Sequence, residues 1–274
     1  MTRVVLITGA SDGIGAEIAR QLAAKEGAAH GEGIALVLAA RNAAQLEAVA
    51  GECAALGART LVVPTDVGIQ IQCRRLVVSA VEHFGRIDVL VNNAGRSAHA
   101  LFEEVEDLSW YEELMRVNLW GALWCTQAAL PALKASQGKI VAVSSLAGLV
   151  GVPGRTAYSA TKFAMTGFFE ALRAEMKAYG VSVTTAYPGV VATRIRYRGF
   201  NAHGEEMGAS ALKEEGAMRV EECARLIIEG MDARRREVVM TAKGKFGRFL
   251  KLVAPGLVEK MALAAVKQDL RPPQ

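Results

Sequence analysis

Seven short apolar runs, most of them followed by longer stretches with helical spacing, constrain this chain more than any other feature. VVLI (4–7), IALVLA (34–39), TLVVP (60–64), IDVLVN (87–92), KIVAVSS (139–145), VSVTTAYP (181–188) and EVVM (237–240) are bounded by Gly, Pro or polar residues. Runs of that length, rich in β-branched residues, read as buried strands. Between them, GAEIARQLAAK (15–25), AAQLEAVAGECAALG (43–57) and IQCRRLVVSAVEHFG (71–85) repeat apolar residues at three- and four-residue intervals, as amphipathic helices do. Strands separated by helices of this length pair in parallel through crossovers, and a parallel sheet buries both faces. The pattern predicts an α/β fold, a doubly wound parallel seven-stranded sheet with helices on both faces. No linker or long internal repeat divides the 274 residues. One dinucleotide-binding and catalytic unit over 1–240 is therefore expected, followed by an amphipathic extension over 241–274.

Composition narrows the function classes. Hydrophobic residues make up 51% and charged ones 22%, which fits a globular chain, and no apolar run approaches the ~20 residues of a membrane span. The net charge of +4 is spread along the chain except near the C-terminus, so no nucleic-acid partner is expected. Cys53, Cys73, Cys125 and Cys223 have no paired spacing, and MTRVVLITGA enters structure without a signal-peptide pattern, so a reducing cytoplasm is the expected location. His30, His83, His99 and His203 lack ligand spacing, and no metal is expected.

In a doubly wound fold the ligand lies outside the carboxyl ends of the strands. After the first strand comes TGASDGIG, Thr8 to Gly15. Gly9, Gly13 and Gly15 permit a tight turn, close approach of a pyrophosphate and packing of the helix on the sheet, while unpaired N–H groups at the helix start attract phosphate. A nucleotide site is expected there.

TGASDGIG, NNAG (92–95), Asn118, SS (144–145), YSATK (158–162) and PGVVAT (188–193) occur together in this order. They resemble the short-chain dehydrogenase/reductases, in the single-domain branch with a TGxxxGxG turn and hydroxysteroid-dehydrogenase-like members. The resemblance runs from the first strand to about residue 240 and implies a Rossmann fold, a homodimer or homotetramer, and an NAD(P)-dependent oxidoreductase acting on CH–OH groups. It places the cofactor on Gly9, Ser11, Asp12, Gly13, Ile14 and Gly15 of the turn, and on Asn93, Ala94 and Gly95 after the fourth strand. Asp66 is placed on the adenine with Val67 beside it, and Tyr158 and Lys162 adjoin the nicotinamide ribose. Pro188, Gly189, Val191 and Thr193 close the site, with Thr193 bonding the carboxamide or the phosphates.

The cofactor's identity is argued from charge at the end of the second strand, LVLAARN. Ala40 stands where an NAD site carries an acid, and Arg41 follows, whose guanidinium can grip a 2′-phosphate. NADP(H) is therefore the expected cofactor, with NAD(H) the alternative. A second basic residue seen in NADP-type glycine turns is replaced by Asp12. KEGAAHGEGIA (25–35) is longer than the usual turn and reads as a surface loop.

A phenol titrates near 10 and needs nearby positive charge to act as a base at neutral pH. Residues four apart share a helix face, so Lys162 supplies that charge to Tyr158, the expected general acid/base. Ser145 or its neighbour Ser144 would hydrogen-bond the substrate oxygen. Strand alternation sends the two to opposite sides, and the interval from Ser145 to Tyr158 matches the family's. In the resemblance, Asn118 holds a water behind Lys162.

The substrate is expected to be a lipophilic ketone or secondary alcohol, met by AGLVGVPGR (147–155), RSAHALFEE (96–104) and a mobile lid at about 194–216. In TAKGKFGRFLKLVAPGLVEKMALAAVKQDL, Lys243, Lys245, Arg248 and Lys251 interleave with Phe246, Phe249, Leu250 and Leu252. This reads as a basic amphipathic helix broken near Pro255 and Gly256. Packing on a second subunit's cleft is favoured over peripheral membrane contact and over packing on its own core. A non-catalytic nucleotide-binding sensor and an epimerase or dehydratase are the competing functions.

Overall fold

The computed structural model describes residues 2–27, 33–208 and 216–269, and every expected strand falls within them. The strands are β1 (Arg3–Thr8), β2 (Ile34–Ala40), β3 (Arg59–Pro64), β4 (Val89–Asn92), β5 (Lys139–Val143), β6 (Ser182–Tyr187) and β7 (Glu237–Val239). All pair in parallel, in the order β3-β2-β1-β4-β5-β6-β7. The order reverses between β1 and β4, and a crevice opens at such a switch point.

Two strands lose two residues at one end of their apolar runs. The fourth run begins at Ile87, yet β4 starts at Val89 because the Asp88 carboxylate accepts the Val4 N–H at 2.8 Å and pairs with Arg86. A side chain thus replaces the first ladder bond. β5 ends at Val143, since Ser145 caps the short turn Leu146–Gly148 by accepting the Ala147 N–H.

Among the described residues, seven α-helices lie between and around these strands up to β7. These are α1 (Gly13–Glu26), α2 (Ala43–Ala55), α3 (Gln70–Phe84), α4 (Ser109–Met115), α5 (Gly121–Ala135), α6 (Thr156–Met176) and α7 (Val220–Asp232). Alternation along β1 divides the core. Val5 and Ile7 pack with Ile18 and Leu22 of α1, Leu46 of α2 and Ile227 of α7. Val4 and Leu6 pack with Leu76 of α3, Leu133 of α5 and Phe169 of α6. Burying a side chain of this size contributes about 1.5–3 kcal/mol, so the two clusters clamp the sheet from both faces. Of the extended turn at 25–35, residues 28–32 lie outside the described residues.

The C-terminal segment forms α8 (Ala242–Val253) and α9 (Pro255–Asp269), broken at Ala254. The break follows from Pro255, which lacks an N–H and suits the first position of a new helix. Lys251 fastens α8 inward, its ammonium 2.9 Å from the Leu149 carbonyl and 4.6 Å from the centre of the Phe163 ring. Phe246, Phe249, Leu252 and Val253 stay exposed. Among the described residues no helix is long and apolar enough to cross a membrane.

Candidate active site

The glycine turn is built by its own backbone. Gly9 has φ +67°, a left-handed conformation that side chains disfavour, and a Cβ there would lie 2.8 Å from Asn93 Nδ2. A Cβ on Gly15 would fall 2.3 Å from the Gly9 carbonyl oxygen, so α1 starts directly against the turn. Thr8 joins the turn to the next strand: its Oγ1 accepts the N–H groups of Asn93 and Ala94 at 3.0 and 3.1 Å. Asn93 Nδ2 donates in return to the carbonyls of Thr8 and Gly9. The motif places Thr8 at the head of the turn, but its link to Asn93 and Ala94 is a tertiary contact that the sequence does not reveal.

These groups line a cleft of about 940 Å³ at the switch point. Gly9, Ser11, Asp12, Gly13 and Ile14 form one wall, Asn93, Ala94 and Gly95 another, and Arg41, Asp66, Val67 and Thr193 complete it. Thr193 reaches the turn itself, since a Cβ on Gly13 would lie 3.2 Å from its methyl carbon. Gly15 supports the turn from behind. Pro188 accepts the Leu146 N–H, Gly189 lies near Leu146 and Thr241, and Val191 is buried.

Two charges in the cleft, Arg41 and Asp12, are defined by their surroundings. Asn42, not Arg41, caps α2 by accepting the Gln45 N–H at 3.0 Å. Arg41 is exposed at the cleft wall, with no ion pair among the described residues. Asp12 caps α1 through Gly13 N at 2.7 Å, and its other oxygen meets the Arg198 guanidinium at 2.9 Å. The acid of the glycine turn is thus neutralised by a residue 186 positions away, which no local pattern reveals.

Gly95 at the end of the cleft adjoins the buried group behind its lining, because a Cβ on Gly95 would lie 3.1 Å from Asn118 Oδ1 and 3.8 Å from Lys162 Nζ, and Asn118, Ser145, Tyr158 and Lys162 lie beyond the residues that line the cleft itself. Tyr158 and Lys162 are both buried on α6, with Lys162 Nζ 5.7 Å from the phenol ring centre and 3.0 Å from the Val143 carbonyl. Burial pushes the Lys162 ammonium below its ordinary value, Tyr158 pulls it back up and Arg155 pushes it further down. An ammonium is hidden here only where its charge has a use.

Ser144 and Ser145 separate as alternation implied. Ser144 Oγ contacts the Lys162 carbonyl at 3.3 Å and Thr166 Oγ1 at 3.4 Å, committing it to α6. Ser145 Oγ accepts the Ala147 N–H at 3.2 Å and keeps its own hydrogen to donate.

Asn118 lies in a π-helical turn, Arg116–Trp120, between α4 and α5, an irregularity often found at functional positions. It is fully buried. Its Oδ1 accepts the Arg96 N–H, and its Nδ2 donates to the Arg96 carbonyl and to Thr161 Oγ1. Thr161 in turn donates to the Tyr158 carbonyl at 2.8 Å. With both amide hydrogens used, Asn118 retains one acceptor position for a water.

Around Tyr158 a small apolar cluster gathers Ala98, Ala100, Trp110, Ala147, Ala157 and Phe200. Phe200 belongs to the expected lid, of which residues 209–215 lie outside the described residues. The described part docks on the 96–99 segment: Phe200 N–H bonds the Ser97 carbonyl, His99 N–H bonds the Phe200 carbonyl, and the Arg96 guanidinium stacks 3.7 Å from the Phe200 ring centre. Among the described residues no group of three or more His, Cys, Asp or Glu could hold a metal.

The model of the short chain dehydrogenases matches residues 3–202. An 11-beta-hydroxysteroid dehydrogenase 1A of Arabidopsis thaliana is 36% identical over 264 residues, covering 94% of this chain and 73% of the relative. The chain belongs to the short-chain dehydrogenase family. It is an NAD(P)-dependent oxidoreductase acting on CH–OH groups. An 11-beta-hydroxysteroid dehydrogenase A of Sesamum indicum is 35% identical over 263 residues, covering 94% and 73% of the two chains. A dehydrogenase/reductase SDR family protein 7-like of Dictyostelium discoideum is 33% identical over 276 residues, covering 97% and 84%. Among solved structures, an alcohol dehydrogenase from the archaeon Thermococcus sibiricus, complexed with 5-hydroxy-NADP, superposes with a TM-score of 0.74. It is 26% identical and covers 87% of this chain and 94% of its own.

Proposed function

We propose that this short-chain dehydrogenase interconverts a lipophilic ketone and its secondary alcohol with NADP(H), using Tyr158 as general acid/base. The observation that carries the reading is the buried Lys162 ammonium beside Tyr158 where the cleft ends. Residues Gly9 to Gly15 hold the pyrophosphate, Asp66 and Val67 the adenine side, and Asn93 to Gly95 with Thr193 the remainder. The cofactor supplies or accepts the hydride when bound. In reduction Tyr158 gives its proton to the substrate oxygen, and in oxidation it takes one back. Lys162 lowers the energy of the phenolate this leaves, Ser145 donates to the substrate oxygen, and Asn118 keeps Arg96 and α6 in register. The apolar cluster at Tyr158 and the hydroxysteroid dehydrogenases among the relatives support a lipophilic substrate.

Arg41 is assigned to the 2′-phosphate, and the neighbour complexed with 5-hydroxy-NADP supports that choice. A panel of ketones and secondary alcohols with the phosphorylated and unphosphorylated cofactors in parallel tests the reading. Turnover with NADPH is expected to exceed that with NADH. Arg41→Ala should lower kcat/KM for NADPH by about 10–100-fold, the worth of a charge-assisted hydrogen bond, and leave NADH unchanged. Equal loss with both cofactors would contradict the assignment, and no turnover with either would contradict the function.

The 194–208 segment is assigned to the lid, held down by the Arg198–Asp12 and Arg96–Glu206 pairs. Exposed pairs of this kind are worth only about 0–1 kcal/mol each, so most of the hold comes from the buried Phe200 and its two backbone bonds to the 97–99 segment. Proteolytic cleavage within 194–208 should slow when NADPH is added, whereas equal rates with and without it would argue against a lid.

A further inference from the structure

Arg155 occupies a position that helix chemistry disfavours. It is the residue capping the N-terminus of α6, where small polar or acidic side chains are preferred and a cation faces the positive end of the helix dipole. Its side chain makes no capping bond to the helix N–H groups, and the first turn of α6 carries no acid. The guanidinium is nonetheless fixed. Its central carbon lies 4.2 Å from the centre of the Tyr158 ring, Nη2 donates to Ser97 Oγ at 2.7 Å and Nε to the Ala98 carbonyl at 3.3 Å.

The surroundings leave Tyr158 under positive charge alone. Ala98, Ala100, Trp110, Leu114, Ala147 and Phe200 form the apolar cluster to which Tyr158 belongs. The charged groups facing it among the described residues are Arg155 and Lys162, while Arg196 adjoins Arg155 and His99 stands on the Ala98–Ala100 segment. Burial pushes the Arg155 guanidinium below its ordinary value, Tyr158 raises it and Arg196 lowers it. A guanidinium held 4.2 Å from the ring centre by Ser97 and Ala98 is attracted more strongly to a negatively charged ring than to a neutral one.

We infer that Arg155 is a positioning residue that stabilises the phenolate of Tyr158, adding its charge to that of Lys162 and the α6 terminus. The inference rests on the reading of Tyr158 as the acid/base. In alcohol oxidation the substrate hydroxyl proton passes to the phenolate oxygen, and Arg155 increases the fraction of enzyme holding that oxygen unprotonated. A purely structural arginine would instead fasten Ser97 and Ala98 to the start of α6.

The two roles are separated by Arg155→Met, which keeps an apolar stem over the ring, Arg155→Lys, which keeps the charge, and Ser97→Ala, which cuts the tether alone. The pH dependence of kcat/KM for alcohol oxidation is measured in each. The tyrosinate absorbance titration is also recorded in each, as the difference from the same protein carrying Tyr158→Phe. In Arg155→Met the rising limb should move up by about one pH unit, a tenfold loss on the limb, and the absorbance midpoint should move with it. Arg155→Lys should restore most of the shift and Ser97→Ala should show none. Unmoved midpoints in Arg155→Met, or a shift in Ser97→Ala as large, would overturn the inference. If even the wild type oxidises no alcohol, the function reading fails, and the absorbance titration still decides the part played by Arg155.

Discussion

Tyr158→Phe is expected to lower turnover by about 10²–10⁴-fold, the range that general acid–base catalysis supplies, while NADPH binding by fluorescence stays nearly unchanged. The change removes one oxygen from a buried ring held between Trp110, Ala147 and Phe200 and under Arg155. Packing is kept, so the melting temperature should hold. Ser145 keeps a hydrogen to donate as a bond, but an alcohol is a far weaker acid than a phenol, so it does not take over the proton transfer. Retained turnover in the variant would remove Tyr158 from the chemistry, and lost NADPH binding would make its role one of binding.

Lys162→Met should separate activity from stability. Its ammonium is buried and bonded to the Val143 carbonyl, with the Met165 sulfur 3.8 Å away. Methionine fills a similar volume without a charge to desolvate, so the variant should melt at the same temperature or higher. Turnover should fall by about 10²–10⁴-fold, because the phenolate loses its nearest ammonium. The pH dependence of stability gives a second readout. Burial lowers the folded-state value of Lys162 below the usual 10.5, so the unfolded chain binds more protons between the two values and stability rises with pH across that window. In Lys162→Met this rise should disappear. A variant that melts much lower and keeps its pH dependence would show that Lys162 acts as a structural strut.

The architecture was legible because buried parallel strands need near-continuous β-branched runs, and VVLI, IALVLA and KIVAVSS provide them with helices between. The glycine turn was legible for a similar reason: Gly9 and Gly15 sit where backbone approach leaves no room for a Cβ. Strand ends were less so. Asp88 takes the Val4 N–H with its carboxylate, which depends on a partner distant in sequence, and Ser145 caps the turn Leu146–Gly148 that leads the chain out of β5. In the site, Tyr158 and Lys162 share a helix face and declare themselves by spacing. Arg155 stands one helical turn before Tyr158, a spacing that could have drawn notice, yet its use depends on Ser97 and Ala98 arriving from another loop. The Asp12–Arg198 pair and the Thr8 link to Asn93 are tertiary contacts with no local trace.

The account turns on direct hydride delivery to a carbonyl carbon with the proton supplied by Tyr158. Reduction of a ketone from the panel with NADPH deuterated at the nicotinamide C4 position, in ordinary water, measures this directly by mass spectrometry of the product alcohol. Deuterium should appear on the carbinol carbon in step with NADPH consumed, and none should form above background with Tyr158→Phe. NADPH consumed without label in the alcohol, or equal labelling by the Tyr158→Phe protein, would contradict it.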